Sequence, residues 1–184
     1  MATLVQTIRK LRSPDGREAV KAVEELRARG WLEDGSLDGV RLCHVHLDGA
    51  DLFKAVLRKI DFHQAHFADA DLSGADLSGT EFARADMRGV NFSGANLEGT
   101  DFLKANLSGA INLIEEQLSQ AKRLTHATMP DGKPYDGRYR LPADLELAKW
   151  GKVDTEDDEA MAYFLGVSVE TYQEGQKLAA KTAA

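Results

Sequence analysis

Ala70-Asp71-Leu72-Ser73-Gly74 is followed at once by Ala75-Asp76-Leu77-Ser78-Gly79, two adjacent copies that differ at no position. A period of five matches neither the 3.6 residues of a helical turn nor the two-residue alternation of a strand, so an internal repeat is the first reading to test. Extending the register in both directions tests it. Every fifth residue from Leu32 to Leu107 is large and apolar, through Leu57, Phe62, Phe82, Met87 and Phe102. Two residues before each of these centres, from Val40 to Ala105, stands Ala, Val, Thr or Ile, small or β-branched groups that fit where space is tight. Two of every five residues therefore face inward and three face outward. Gly recurs two residues after the centre, as at Gly39, Gly49, Gly74 and Gly99, where a corner with positive φ is easiest for a residue without Cβ.

These units, together with Ala95-Asn96-Leu97-Glu98-Gly99, closely resemble the A(D/N)LxX motif of the pentapeptide-repeat family, and the resemblance covers about residues 31–110. It implies an all-β solenoid, a right-handed quadrilateral β-helix with four pentapeptides per coil and about four coils in this chain. Residues twenty apart would then stack at a strand spacing of about 4.8 Å, giving a rod about 19 Å tall. One wall would carry the column Leu42, Phe62, Phe82 and Phe102. Each buried centre contributes on the order of 1.5–3 kcal/mol, which in sum offsets the ordering entropy of the chain.

A solenoid exposes unpaired backbone and an apolar cross-section at each end, so both ends need covers. Residues 1–30 are expected to form an N-terminal helical cap. Leu4, Ile8 and Leu11 share one face of a first helix, and a second begins at Ser13-Pro14, turns Val20, Val23 and Leu26 inward and stops at Gly30. Beyond Ala110 the register is lost, because position 112 is Asn, and repetition is expected to end there. Residues 111–184 then form a mainly helical, turn-rich tail, with helix starts at Asn112–Glu115, Pro142, Asp154–Glu159 and Ser168. Trp150, Tyr163, Phe164 and Tyr172 make this tail too apolar to be simply disordered, so it should fold against the solenoid or a partner. Lys177 to Ala184 are expected to fray.

The formal charge of −7 argues against a nucleic-acid or anionic-membrane binder, which needs a basic face. No run approaches the ~20 apolar residues of a membrane span, which leaves peripheral attachment to a larger complex open. The single Cys43 cannot form an internal disulfide, and the N-terminal residues show no signal-peptide pattern; a cytoplasmic location is the expectation.

Cys43, His44, His46, His63 and His66 cluster in the first part of the repeat. Stacking by twenty puts Cys43 over His63 and His46 over His66, a candidate Zn²⁺ or Cu²⁺ site, since imidazole and thiolate suit those ions. Against it, columns on either side of a square corner diverge, and the blander reading is an exposed ladder that stacks or meets a partner. The outward column Asp61, Glu81 and Asp101, beside Arg84 and Lys104, invites a second comparison. Some pentapeptide-repeat proteins present an acidic rod shaped like duplex DNA to type II topoisomerases such as gyrase. The bland alternative is a solvated face whose carboxylates satisfy turn amides.

No nucleophile elbow, phosphate loop or zinc-protease helix is present, and a core filled by its own Leu and Phe leaves no pocket, so neither catalysis nor a cofactor is expected. The expected function is a non-catalytic protein-interaction or scaffold module whose partner is another protein. A DNA-mimic topoisomerase modulator is the alternative, and a metal-responsive protein using the His corner the third reading. The candidate partner surface comprises His44, His46, His63 and His66, the outward apolar pair Phe53 and Val56, and Trp150 and Tyr163 of the tail.

Overall fold

The computed structural model describes residues 2–182. Its centre is a stack of very short parallel bridges at a spacing of twenty, with four ladders per turn of the chain. They start at Arg41↔Asp61, His46↔His66, Asp51↔Asp71 and Val56↔Asp76. The hydrogen bonds are equally regular. The centres from Leu42 to Phe92 each donate to the residue nineteen further on, as in Leu42 N–H to the Asp61 carbonyl at 2.7 Å, and from Asp61 to Asn106 the residue before each centre donates back, as in Glu81 N–H to Ile60 at 2.9 Å. Each side is too short to count as an extended strand, because a turn intervenes after every bridge.

All the centres from Leu32 to Leu107 are at most 2% exposed, and so are most of the small residues two before them. Phe62, Phe82 and Phe102 stack with ring centroids 5.4 and 5.8 Å apart and nearly parallel planes. Where Thr replaces Ala inside, its hydroxyl is satisfied: Thr80 donates to the Leu57 carbonyl at 2.5 Å and Thr100 to Leu77 at 3.0 Å. The corner glycines have φ near +70°, but Lys54, Gln64 and Arg84 occupy the same corner position at φ +54° to +60°. The turn is therefore imposed by stacking on both neighbours, since a lone non-Gly residue seldom adopts it.

The ladder does not end at residue 110. Ile111 still pairs with Asn91, and after an excursion the pairing resumes with Asp101↔Arg123 and Asn106↔Thr128, now at a spacing of 22. Ala121, Leu124 and Ala127 carry the inward face onward. Two inserted residues hid this continuation from a strict five-residue reading.

Helices cover both ends. α1 (Leu4–Leu11) opens with a capping box between Thr3 and Gln6. α2 (Gly16–Ala28) is capped by Asp15, whose carboxylate accepts from Arg17 N–H, rather than by Ser13 as the sequence suggested. Leu11, Val23 and Leu26 join the solenoid core. The first coil's free carbonyls, which have no preceding coil to bond them, are taken by arginines of this cap. Arg12 donates to the Arg41 carbonyl at 2.7 Å, and Arg27 to those of Asp51 and Phe53 at 3.1 Å each.

The excursion contains α3 (Glu115–Ser119), and α4 (Pro142–Trp150), α5 (Asp158–Leu165) and α6 (Val169–Thr182) follow. The chain between 127 and 135 doubles back in a tight hairpin, with Tyr135 N–H bonded to Ala127, and buries Tyr135 completely. Residues 177–182, expected to fray, continue α6; Ala183 and Ala184 lie outside the described residues. No described helix is long and apolar enough to cross a membrane.

Candidate functional site

The square section decides which histidines can meet. Position 46 lies directly before a centre, at the bridge, so His46 and His66 are stacked by the ladder: ring centroids 4.5 Å apart and planes 15° from parallel. His44 sits at a corner with φ +58°, and its ring meets that of His63 edge-on at 6.2 Å. Cys43 turns toward Asp61, and partial burial, then that carboxylate, push its thiol above the usual range. The five residues grouped by the sequence reading are thus divided among three places. The residue it missed is Asp48. One ligand atom each from His46, Asp48 and His66 lie within 4.8 Å of one another. The signal was available, since Asp48 follows the centre Leu47 on the outward face just as His46 precedes it.

Asp48 is anchored, accepting from Ala68 N–H at 2.8 Å. Below His66 in the same ladder stands Asp86, which is engaged by Arg88 through Nε at 2.8 Å and a terminal nitrogen at 2.6 Å. Arg88 hydrogen bonding holds the Asp86 carboxyl below the ordinary carboxylate range, against the effect of partial burial.

Most outward acids have a structural task. Asp51, Asp61, Asp71, Asp76, Asp86 and Asp101 each accept from the N–H two residues later, closing an Asx turn, and the asparagines at positions 91, 96 and 106 do the same. In two ladders an Asn follows the Asp and bonds to it, Asn91 donating to Asp71 and Asn96 to Asp76, both at 3.1 Å, where a further stacked carboxylate would add repulsion. The column Asp61, Glu81, Asp101 is bounded by Arg41 and Arg123, and Arg123 forks onto the nearly buried Asp101. Its charge is largely neutralised at both ends.

The aromatic candidates separate sharply. Trp150 is 85% and Tyr163 89% exposed, at the end of α4 and within α5, whereas Tyr172 is buried between the tail elements. Phe164 is half-buried and lies 5.9 Å from the His126 ring. Phe53 remains 43% exposed; neither the N-terminal cap nor the tail buries it, and the Lys54 ammonium lies 5.0 Å from its ring. Val56 is half-buried in the bridge to Asp76.

The family model for pentapeptide repeats matches residues 46–82 and 80–122, with eight copies. Among solved structures the chain is similar to the pentapeptide repeat protein Rfr23 of the cyanobacterium Cyanothece 51142. The two are 33% identical over 38% of this chain and 48% of that one, with a TM-score of 0.38. It is also similar to HetL of Nostoc sp. strain PCC 7120, a pentapeptide repeat protein involved in heterocyst differentiation regulation, at 36% identity over 50% of this chain and 42% of that one, TM-score 0.35. A third is a pentapeptide repeat protein of the Arabidopsis thaliana thylakoid lumen, 28% identical over 62% and 79% of the two chains, TM-score 0.29. The chain spans less than half the length of the first two. No curated protein matches.

Proposed function

We propose that the protein, whose repeat segment matches the pentapeptide-repeat family model, folds there as the right-handed quadrilateral β-helix of that family and is a non-catalytic interaction module. In this reading a rigid solenoid of about four coils, capped at both ends, works in the cytoplasm and holds another protein, alone or as a peripheral member of a larger complex. The observation that carries the reading is the contrast within the tail. Tyr135 and Tyr172 are buried while Trp150 and Tyr163, of comparable apolar area, stand almost fully in solvent. Aromatics of that size supply most of the energy of protein interfaces when a partner desolvates them.

The topoisomerase reading draws less support. A DNA mimic needs free carboxylates in a continuous field, and many of the outward acids here, Asp71, Asp76 and Asp101 among them, are committed to Asx turns, to Asn partners or to Arg123.

Affinity recovery of the full chain from its native cells, followed by mass spectrometry, tests the proposal. A stoichiometric protein present with the wild type and absent with Trp150→Ala/Tyr163→Ala supports it. Recovery of the chain alone at native abundance overturns it, and recovery of a type II topoisomerase insensitive to that double substitution favours the alternative.

A further inference from the structure

The parallel ladder holds two imidazoles face to face, and a third donor stands beside them. We propose that His46, Asp48 and His66 bind one divalent transition-metal ion of the zinc class on the outer face of the solenoid. The donor set is two imidazole nitrogens and one carboxylate oxygen, which suits a borderline ion and is too nitrogen-rich for calcium or magnesium.

The geometry favours capture. The three ligand atoms already lie within 4.8 Å of one another, while two donors on a tetrahedral Zn²⁺, each about 2.0–2.1 Å from the ion, stand about 3.3 Å apart. Rotation of two half-buried imidazoles about their side-chain torsions closes that gap without moving the backbone, which the bridge between positions 46 and 66 fixes. Asp48 presents one oxygen to Ala68 N–H at 2.8 Å, and that bond holds the carboxylate in place while the other oxygen is available to the ion. Gly16, the first residue of α2, leaves the space this requires. A side chain there would begin 3.3 Å from the His46 Cβ.

Neighbouring groups set the limits of the site. Asp86 is the adjacent carboxylate in the ladder, but both of its oxygens are held by Arg88, so it does not compete. Cys43 is excluded because its raised thiol pKa disfavours the thiolate a metal requires, and because it turns toward Asp61. His44 and His63 face each other at a separate corner. Three protein donors leave at least one coordination position for water or for a side chain of another molecule. Metal binding does not depend on the partner reading above, and either can fail without the other.

The test is isothermal titration of Zn²⁺ into untagged, chelator-treated full-length protein, with the histidine ring resonances followed in parallel. One ion per chain is expected, shifting His46 and His66 and leaving His44, His63 and His126 in place. His66→Ala should weaken binding roughly tenfold or more, and the near-isosteric Asp48→Asn should weaken it as well with an unchanged melting temperature. Cys43→Ser/His63→Ala should bind as the wild type does. The proposal is overturned if no saturable binding is seen, if His46→Ala/His66→Ala still binds, or if Cys43→Ser/His63→Ala loses the ion.

Discussion

Asp144 of α4 takes the place that a backbone carbonyl of the next coil would occupy above Leu124. The centres from Leu42 to Phe92 donate their N–H to a carbonyl nineteen residues on, and Phe102 and Leu107 to one twenty-one on; Leu124 donates instead to the Asp144 carboxylate, twenty residues on, at 3.0 Å. The same carboxylate accepts from Thr125 N–H at 2.9 Å and from the Thr125 hydroxyl. The C-terminal end of the solenoid is thus closed by a side chain standing in for main chain, the mirror of what Arg12 and Arg27 do for the free carbonyls of the first coil.

Removing that carboxylate leaves two buried N–H groups without acceptors. Asp144→Ala is expected to cost about 3 kcal/mol, and Asp144→Asn, which keeps one acceptor oxygen, about half as much. The cost should depend on pH. Burial pushes the Asp144 carboxyl up, against the hydrogen bonds from Thr125 and Leu124 that pull it down. A carboxyl raised above its unfolded value of about 3.9 stabilises the fold most below that pH and loses the contribution as pH rises through its folded value. Denaturant unfolding of wild type and Asp144→Asn should therefore differ most near pH 3 and least near pH 7. A difference that grows with pH would contradict the direction given for Asp144.

Gln117 of α3 performs the corresponding service where the excursion interrupts the stack. Its Nε2 donates to the Ala95 carbonyl at 2.7 Å, the acceptor that the next coil would have satisfied as Asp101 N–H does for Thr80, and to the Phe92 carbonyl at 2.9 Å, which also accepts from Ala95 N–H. Gln117→Leu keeps the volume and removes both bonds, so a loss of about 1–3 kcal/mol is expected. Thermal unfolding would show it, and an unchanged melting temperature would mean that water replaces the amide.

The solenoid was legible because each inward position speaks for itself: Leu72 and Phe82 are apolar at a fixed interval whatever else the chain does, and the resulting register also placed His46 over His66. The closure of its ends was not. Arg12 reaching Arg41, Gln117 reaching Ala95 and Asp144 reaching Leu124 are polar side chains filling single hydrogen-bond vacancies, and they leave no period behind. The two-residue insertion before Leu124 also hid the return of the repeat, since a five-residue comb laid on from Leu107 lands on Asn112. Within the tail the sequence offered Trp150, Tyr163, Phe164 and Tyr172 as apolar anchors and placed Trp150 and Tyr163 on the candidate partner surface, with nothing to say which rings fold inward. Only packing distinguishes them, and it buries Tyr172 against Gly137, where an added Cβ would lie 2.9 Å from the Tyr172 ring.

Asp71 should titrate with the opposite sign to Asp144. Hydrogen bonding from the Ser73 side chain holds its carboxyl below the usual range, helped by the Ser73 N–H and the Asn91 amide and opposed by partial burial. A depressed carboxyl contributes stability that is present above its unfolded value of about 3.9 and is lost as pH falls through its folded value. Asp71→Asn should accordingly be most costly near pH 6 and nearly neutral near pH 2, as measured by urea unfolding at the two pH values. A cost independent of pH would assign the residue a purely steric role.

Gly175 lies inside α6, where helix propensity alone favours Ala by about 1 kcal/mol. The structure reverses that preference. A Cβ at position 175 would stand 2.6 Å from the Asp136 carboxyl carbon. Asp136 is 8% exposed and cannot swing aside, because Arg138 grips both its oxygens at 2.8 to 3.1 Å and also reaches Glu115 at 3.1 Å. Gly175→Ala is therefore expected to destabilise the protein by about 1–3 kcal/mol, the usual range for overpacking. Asp136→Ala should remove the collision, so the double variant should be more stable than the two single costs predict. Calorimetric melting of the four proteins in that cycle decides the matter: a raised melting temperature for Gly175→Ala alone would show that α6 can lift from the 136–138 loop, and that the tail is held by Tyr172 rather than by this close approach.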